Sequence, residues 1–397
     1  MHVLLAFDKF KDSLTAPAAC AHAAAALRER HPDWTLDLCP LADGGEGFCE
    51  ILTHAAGGTV ETHIVTGPRG TPTPATIGFV PLARIPAAAR DLLGLSDSPH
   101  SALSSPLPPD ASVAVIEMAT ASGLALLPPD QRDPWHATTL GTGELIRLAA
   151  ARPGVVAILL GVGGSATSDL GLGALAALGL TFHSPTGSPI SPPLPAHWPQ
   201  ITRLSGHLPA SPSLPPIRIA CDVTNPLLGP RGAAATYGPQ KGLRPADLAR
   251  LDHESARLAL LLCAHTQRPD SLMDLPGAGA AGGISFGLMA AADAQLLPGF
   301  DLVSAWLDLE RKLAAADLVI TGEGRFDDTS LTGKGPGAVA ARALALGKPV
   351  HVFAGAVATL APRDRLTLHA ITPPGTPLPE ALRGAESFLV AGVLAVF

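Results

Sequence analysis

Asp8, Lys9 and Lys11 lie close together in Ala6-Phe7-Asp8-Lys9-Phe10-Lys11-Asp12-Ser13-Leu14-Thr15. A carboxylate flanked by two ammonium groups suits the handling of phosphate or carboxylate oxygens, and Ser13 or Thr15 is of the right type to cap a following helix. Of 27 Lys and Arg, only Lys9, Lys11, Lys241, Lys312, Lys334 and Lys348 are Lys. A chain that covers its solvated faces with Arg retains Lys where a compact point charge is needed. Taken alone, the motif also reads as a solvated turn with a salt bridge.

Further candidates follow along the chain. In Ala42-Asp43-Gly44-Gly45-Glu46-Gly47 the glycines let the backbone approach a ligand, and Asp43 and Glu46 set carboxylates beside it. Such a pair suits Mg²⁺ or a general base. Gly161-Val162-Gly163-Gly164-Ser165-Ala166-Thr167-Ser168-Asp169 joins an apolar run to a helical one. Unpaired amides at a helix start attract anions, so Gly163, Gly164, Ser165 and Thr167 are candidate binders, although no G-K-[ST] of a Walker A loop follows. Asp222 and Asn225 (in Cys221-Asp222-Val223-Thr224-Asn225-Pro226) and the isolated Lys241 form a candidate polar wall.

Gly277-Ala278-Gly279-Ala280-Ala281-Gly282 spells G-x-G-x-x-G, with Asp301 about 20 residues on. The preceding residues 271–275 are too short and polar for a buried first strand, so Gly279 and Gly282 fit a phosphate or substrate loop better than a dinucleotide fingerprint. The richest stretch is 319–336, where Glu323, Arg325, Asp327 and Lys334 follow an apolar run. Arg325 and Lys334 suit anionic oxygens, and Glu323 or Asp327 suits Mg²⁺. The 14 His residues fall singly, with no H-E-x-x-H.

These motifs need positioning elements. Apolar runs ending in Gly or Asp recur at 2–8, 35–41, 112–118, 155–162, 217–223, 317–322 and 349–355. Ala/Leu-rich helical segments follow several of them, at 15–30, 46–56, 141–151, 171–179 and 335–346. The alternation predicts a mostly parallel α/β sheet with the polar motifs at the strand ends, where such sheets bind ligands. Residues 60–80 alternate as a hairpin about Gly67-Pro68-Arg69-Gly70. Residues 81–110 and 184–216, rich in Pro, Ser and Ala, read as surface excursions.

The 397 residues fit two domains, and 47% of them are apolar. A net charge of −7 without a basic run argues against nucleic acid. No apolar stretch is long enough for a membrane span, and the start lacks a signal-peptide pattern. Five scattered cysteines without C-x-x-C spacing argue against a disulfide framework and zinc, so the expected compartment is the cytoplasm. A homo-oligomer is compatible with all of this.

In this order the motifs resemble the type 1 glycerate kinase family, from Asp8 to about Gly355. The match also takes in Ile116-Glu117-Met118-Ala119 and Gly238-Pro239-Gln240-Lys241-Gly242. The resemblance implies phosphorylation of D-glycerate by ATP with Mg²⁺. Bacterial members usually yield 2-phosphoglycerate, and older assignments give the 3-phospho product. It further implies a Rossmann-like α/β domain from both chain ends (1–60 plus 275–397), a second α/β domain inserted at 61–274, and an active site in the cleft between them. Ser168 stands where the family usually has Asn, and Asp12 where it often has Gly.

Under this reading Lys9, Lys11, Lys241, Arg325 and Lys334 share the substrate carboxylate and the phosphates. Asp43 or Asp169 takes the hydroxyl proton, and Asp222 and Glu323 hold Mg²⁺. Asp8, Gly44, Gly45, Glu46, Gly163, Gly164, Ser165, Thr167, Asn225, Gly279 and Gly282 complete the expected binding set. The rival readings are a dinucleotide-dependent oxidoreductase of a small hydroxy acid and a non-catalytic glycerate- or nucleotide-binding regulator.

Overall fold

The computed structural model describes residues 1–95, 108–209, 213–327, 330, 335–358 and 361–397. The chain forms two compact units, one of Met1–Asp43 with Val303–Phe397 and one of Gly44–Leu302. It begins in the first unit with β1 (His2–Phe7) and β2 (Thr35–Leu38). The second unit carries β3 (Thr59–Thr66), β4 (Pro72–Pro81), β5 (Ser112–Glu117) and β6 (Val155–Gly161). It continues through β7 (Thr181–His183), β8 (Pro189–Ile190), β9 (Arg203–Ser205), β10 (Ile217–Ala220) and β11 (Gln295–Leu297). The chain then returns to the first unit for β12 (Leu318–Phe326), β13 (Val350–Val357) and β14 (Leu366–Ala370).

The first unit is a five-stranded, wholly parallel sheet in the order β2-β1-β12-β13-β14. Strand alternation turns Val3, Leu5 and Phe7 to one face, where they pack with Ala19, Leu27, Leu389 and Val393. The first two of those partners lie on the helix Ala16–Arg30 and the last two on the helix Leu378–Val396. Leu4 and Ala6 point the other way and are also fully buried, on the face covered by Leu309–Ala315 and Gly335–Ala345. Helices on both faces explain why β1 reads as an unbroken apolar run. Counted within this unit, the strand order is the doubly wound 2-1-3-4-5, whose switch point falls between β1 and β12.

The second unit holds a six-stranded sheet in the order β11-β10-β6-β5-β4-β3. From β11 to β5 the neighbours are parallel, and β4 and β3 add an antiparallel edge about the expected hairpin. In a three-stranded antiparallel sheet, β8-β7-β9, the central strand β7 ends just before the stretch expected as a surface excursion, and β8 and β9 lie within it. Most of that stretch is exposed or half-buried, but Trp198 anchors it, fully buried with its Nε1 donating to Pro193 O at 3.1 Å. Polar composition hid a single large anchor.

The unit bounds also differ from those expected. Residues 44–60 and 275–302 fall in the second unit, not with the chain ends. The helix Phe48–Ala55 packs on β4 and β5, and the amides of Gly47 and Cys49 at its start donate to Glu117 Oε2 at 3.0 and 3.3 Å. β11 pairs with β10, and the helix Ile284–Ala292 packs on Leu248–Thr266. No helix among the described residues is long and apolar enough to cross a membrane.

Candidate functional site

In the first unit the backbone leaves β1 at Asp8 and turns back at once. Asp8 N donates to Gly322 O at 3.0 Å, and Phe10 and Leu14 pair across a tight loop. Asp12 sits inside that loop at φ 61°, a left-handed conformation that Asp tolerates better than most residues and Gly best. Thr15, not Ser13, caps the helix that follows, accepting from Ala18 N at 3.3 Å, while Ser13 Oγ donates to Phe10 O. The loop holds Lys9 against Asp43, with Nζ 3.0 Å from Oδ1.

The carboxyl ends of β1, β12, β13 and β14 open onto a cavity of about 610 Å³. Asp8, Lys9, Lys11, Asp43, Glu323 and Arg325 line one part of it. Six of the sequence candidates thus converge on one cavity, beside the switch point where sheets of this type bind ligands. Arg325 is exposed, with Nε 3.3 Å from Asp327 Oδ2. Glu323 is partly buried, and burial first, then the nearby Asp8, Asp327 and Asp43 charges, push its carboxyl up to about 7, against a hydrogen bond from Ser330. Its Oε1 is buried and has no hydrogen-bond partner among the described residues. Lys334 lies outside the described residues.

The rest of the cavity wall comes from residues that the motif reading did not single out. Ile371 and Thr372 follow β14, and Leu378, Ala381, Leu382 and Ala385 project from the C-terminal helix. A signal was present: Pro373-Pro374-Gly375 punctuates the chain, and Pro379 stands in the first turn of a long apolar-periodic segment.

In the second unit the two Gly-rich motifs meet. Gly163 N donates to Gly44 O at 2.9 Å, and a β-carbon on Gly163 would stand 2.7 Å from both Cα and N of Gly45. Gly45 is buried and Glu46 exposed beside this crossing. On Gly164 a β-carbon would meet Glu46 Oε1 at 2.6 Å. Gly282 packs the third Gly-rich stretch onto the same turn, its β-carbon position only 2.1 Å from Thr167 O. These glycines serve close backbone crossings.

At the start of the next helix a carboxylate of the chain itself takes up backbone donors. Asp169 is buried and accepts Thr139 N at 2.8 Å, Thr139 Oγ1 at 2.9 Å, Gly171 N at 3.2 Å and Gly173 N at 3.3 Å. Burial pushes its carboxyl up, and those four donors pull it back. Two amides at that helix start, Gly171 N and Gly173 N, are thus committed to this side chain, which braces the turn. Lys241 lies beneath the same turn, donating to Ser165 Oγ at 3.0 Å and Thr167 O at 2.5 Å. Burial pulls its ammonium down to about 7, opposed by the charge of Asp169.

Two other candidates carry structural bonds. Both oxygens of Asp222 accept from Phe300 N, at 3.2 and 3.0 Å, in the first turn of Gly299–Trp306. Asn225 donates to Arg231 O and Thr236 Oγ1 and accepts from Tyr237 Oη, while its own carbonyl receives Gly277 N and Gly279 N. The G-x-G-x-x-G stretch follows the 3₁₀ turn Asp270–Asp274 and not a strand, so it lacks the setting of a dinucleotide fingerprint.

The chain matches the model of the glycerate kinase family over residues 3–393. It is 36% identical to the glycerate kinase of Bacillus subtilis (strain 168), over 98% of this chain and 95% of that protein. It is 37% identical to the glycerate 2-kinase of Escherichia coli (strain K12), over 90% of this chain and 86% of that one. Among solved structures it resembles a glycerate kinase 2 from Salmonella typhimurium LT2, with a TM-score of 0.75 and 37% identity, covering 100% of this chain and 97% of the other.

Proposed function

The chain belongs to the glycerate kinase family, and on that premise we propose that it transfers the γ-phosphoryl group of ATP to D-glycerate. The observation that carries the reading is the charged part of the first unit's cavity, where Lys9, Lys11 and Arg325 face Asp8, Asp43 and Glu323 at the switch point of a doubly wound sheet. Kinship with the E. coli glycerate 2-kinase supports 2-phosphoglycerate as the product.

Phosphoryl transfer asks a protein mainly for positioning and for neutralisation of charge on the transferred group. Lys9, Lys11 and Arg325 supply cations for phosphate oxygens. Asp43 is the better candidate for the hydroxyl proton, because its side chain is 45% exposed on the cavity while Asp169 is enclosed. No group of three or more metal-ligating side chains occurs among the described residues. Mg²⁺ is commonly held by one or two carboxylates together with substrate phosphates. Glu323, one of whose oxygens is buried with no hydrogen-bond partner among the described residues, would hold it, and Asp222, turned to Phe300 N, is the poorer choice. When bound, the ion would neutralise phosphate charge.

A coupled assay with ATP, Mg²⁺ and D-glycerate, followed by phosphorus NMR of the product, tests the reading. Formation of 2-phosphoglycerate supports it. The 3-phospho isomer would correct the position, and no phosphoglycerate would overturn the activity.

A further inference from the structure

The cavity of the first unit is larger and less polar than a three-carbon acid and three phosphates require. Its charged part is met at the ends of β1 and β12, and the wall beyond β13 and β14 changes character: Ala356, Ile371, Leu378, Leu382 and Ala385 present hydrocarbon. Ile371 and Ala385 are 8% and 7% exposed and form the buried floor of this wall, while Leu378, 69% exposed, stands at its rim. Glycerate has no apolar surface with which to use such a wall. The cavity, at about 610 Å³, lies in the range of pockets that enclose drug-sized ligands. A ligand with a strongly anionic chain of phosphates at one end and a flat, weakly polar ring at the other matches both parts.

We propose that this cavity is the nucleotide subsite, with the purine ring of ATP against the C-terminal helix Leu378–Val396 and the triphosphate directed to Lys9, Lys11 and Arg325. The proposal rests on the kinase reading and deepens it. Burial of a purine face against aliphatic side chains supplies affinity by removing apolar area from water, and sites of this kind fix orientation with few polar groups. Thr372 is the polar side chain of the wall nearest in sequence to Ile371, and Thr376 Oγ1 already donates to Pro373 O. The Pro373–Thr376 turn is thereby held in place beneath the helix start.

Photolabelling with 8-azido-ATP, followed by trypsin digestion, tests this on the intact protein without any need for turnover. Label that is competed by ATP is expected in the peptides 366–383 or 384–397. Label confined to peptides of the second unit, or no ATP-competed label at all, overturns the subsite. In steady state, Leu382→Glu should raise KM for ATP at least tenfold and Leu382→Ala about threefold, with KM for D-glycerate within twofold of wild type. A rise in the glycerate KM alone would overturn the proposal by assigning the wall to the acid. The two readings fail separately. Competed label in 366–397 without glycerate turnover keeps the subsite and refutes the substrate, whereas turnover with label elsewhere does the reverse.

Discussion

The ammonium nitrogen of Lys241 lies 2.5 Å from the carbonyl oxygen of Thr167, with the lysine only 1% exposed. This contact ties a 3₁₀ turn to the loop that carries Asp169. Lys241→Met keeps the volume but leaves the Thr167 carbonyl unanswered, which costs about 1–3 kcal/mol. The cost should depend on pH. The folded value of about 7 lies below the ordinary 10.5, so between them the unfolded chain binds more protons and stability rises with pH. The variant lacks that gain. Urea denaturation of both proteins near pH 7 and near pH 9 should show their difference growing at the higher pH. A constant difference would contradict it.

Asp43 and Asp169 should separate into different kinds of residue. Asp43→Asn removes a carboxylate from the cavity wall and is expected to lower kcat about 10²- to 10⁴-fold with little change in melting temperature. Asp169→Asn replaces an acceptor of four hydrogen bonds by a group that also donates, so it should lose at least about 2 kcal/mol of stability. Measuring turnover and denaturation on the same preparations distinguishes them. Equal melting temperatures for the two variants would remove the structural role assigned to Asp169.

Glu323 should show the conflict between stability and function that marks many active sites. Its carboxyl, raised to about 7 from an ordinary 4.5, is held against ionisation by burial and by Asp8, Asp327 and Asp43. In that window the folded chain binds more protons, so this group's contribution falls as pH rises from 4.5 to 7. Glu323→Gln should therefore be more stable than wild type at about pH 8, on the order of 1 kcal/mol after allowance for its solvated side. The gain should vanish below about pH 4.5. Activity should drop at every pH, with loss of the wild-type inflection near 7. Unchanged turnover would exclude Glu323 from the phosphate site.

The sequence displayed the first unit's charged residues because each follows an apolar run: Asp8 after β1, and Glu323 and Arg325 near the end of β12. Buried parallel strands announce themselves in this way, and the chemistry at their ends is then near at hand. The apolar wall was hidden for the converse reason. Leu378 and Leu382 look like any amphipathic helix, and only the fold turns them to the cavity. The setting of Asp169 is not legible in sequence, because a carboxylate capping nearby amides has the same neighbours in sequence as one facing a ligand. Its decisive partner, Thr139, is 30 residues away. Gly-rich stretches signal close approach without saying of what, and the group that approaches Gly163 is the Gly45 backbone.

Asp12 offers a gain in stability. At φ 61° it holds a left-handed turn in a loop that must present Lys9 and Lys11. An L-residue there costs roughly 1–2 kcal/mol relative to its preferred regions, somewhat less for Asp. Glycine adopts the conformation without a β-carbon clash, at the price of a more flexible unfolded chain. Asp12→Gly should therefore stabilise the protein by a few tenths of a kcal/mol to about 1 kcal/mol, while Asp12→Val should destabilise it by more than that, since a β-branched residue resists positive φ. The KM for ATP should follow the same order, because the loop's shape sets where both lysines stand. Thermal denaturation and steady-state kinetics on the two variants check it, and a valine variant as stable and as tight for ATP as the glycine one would show that the turn places no demand on this position.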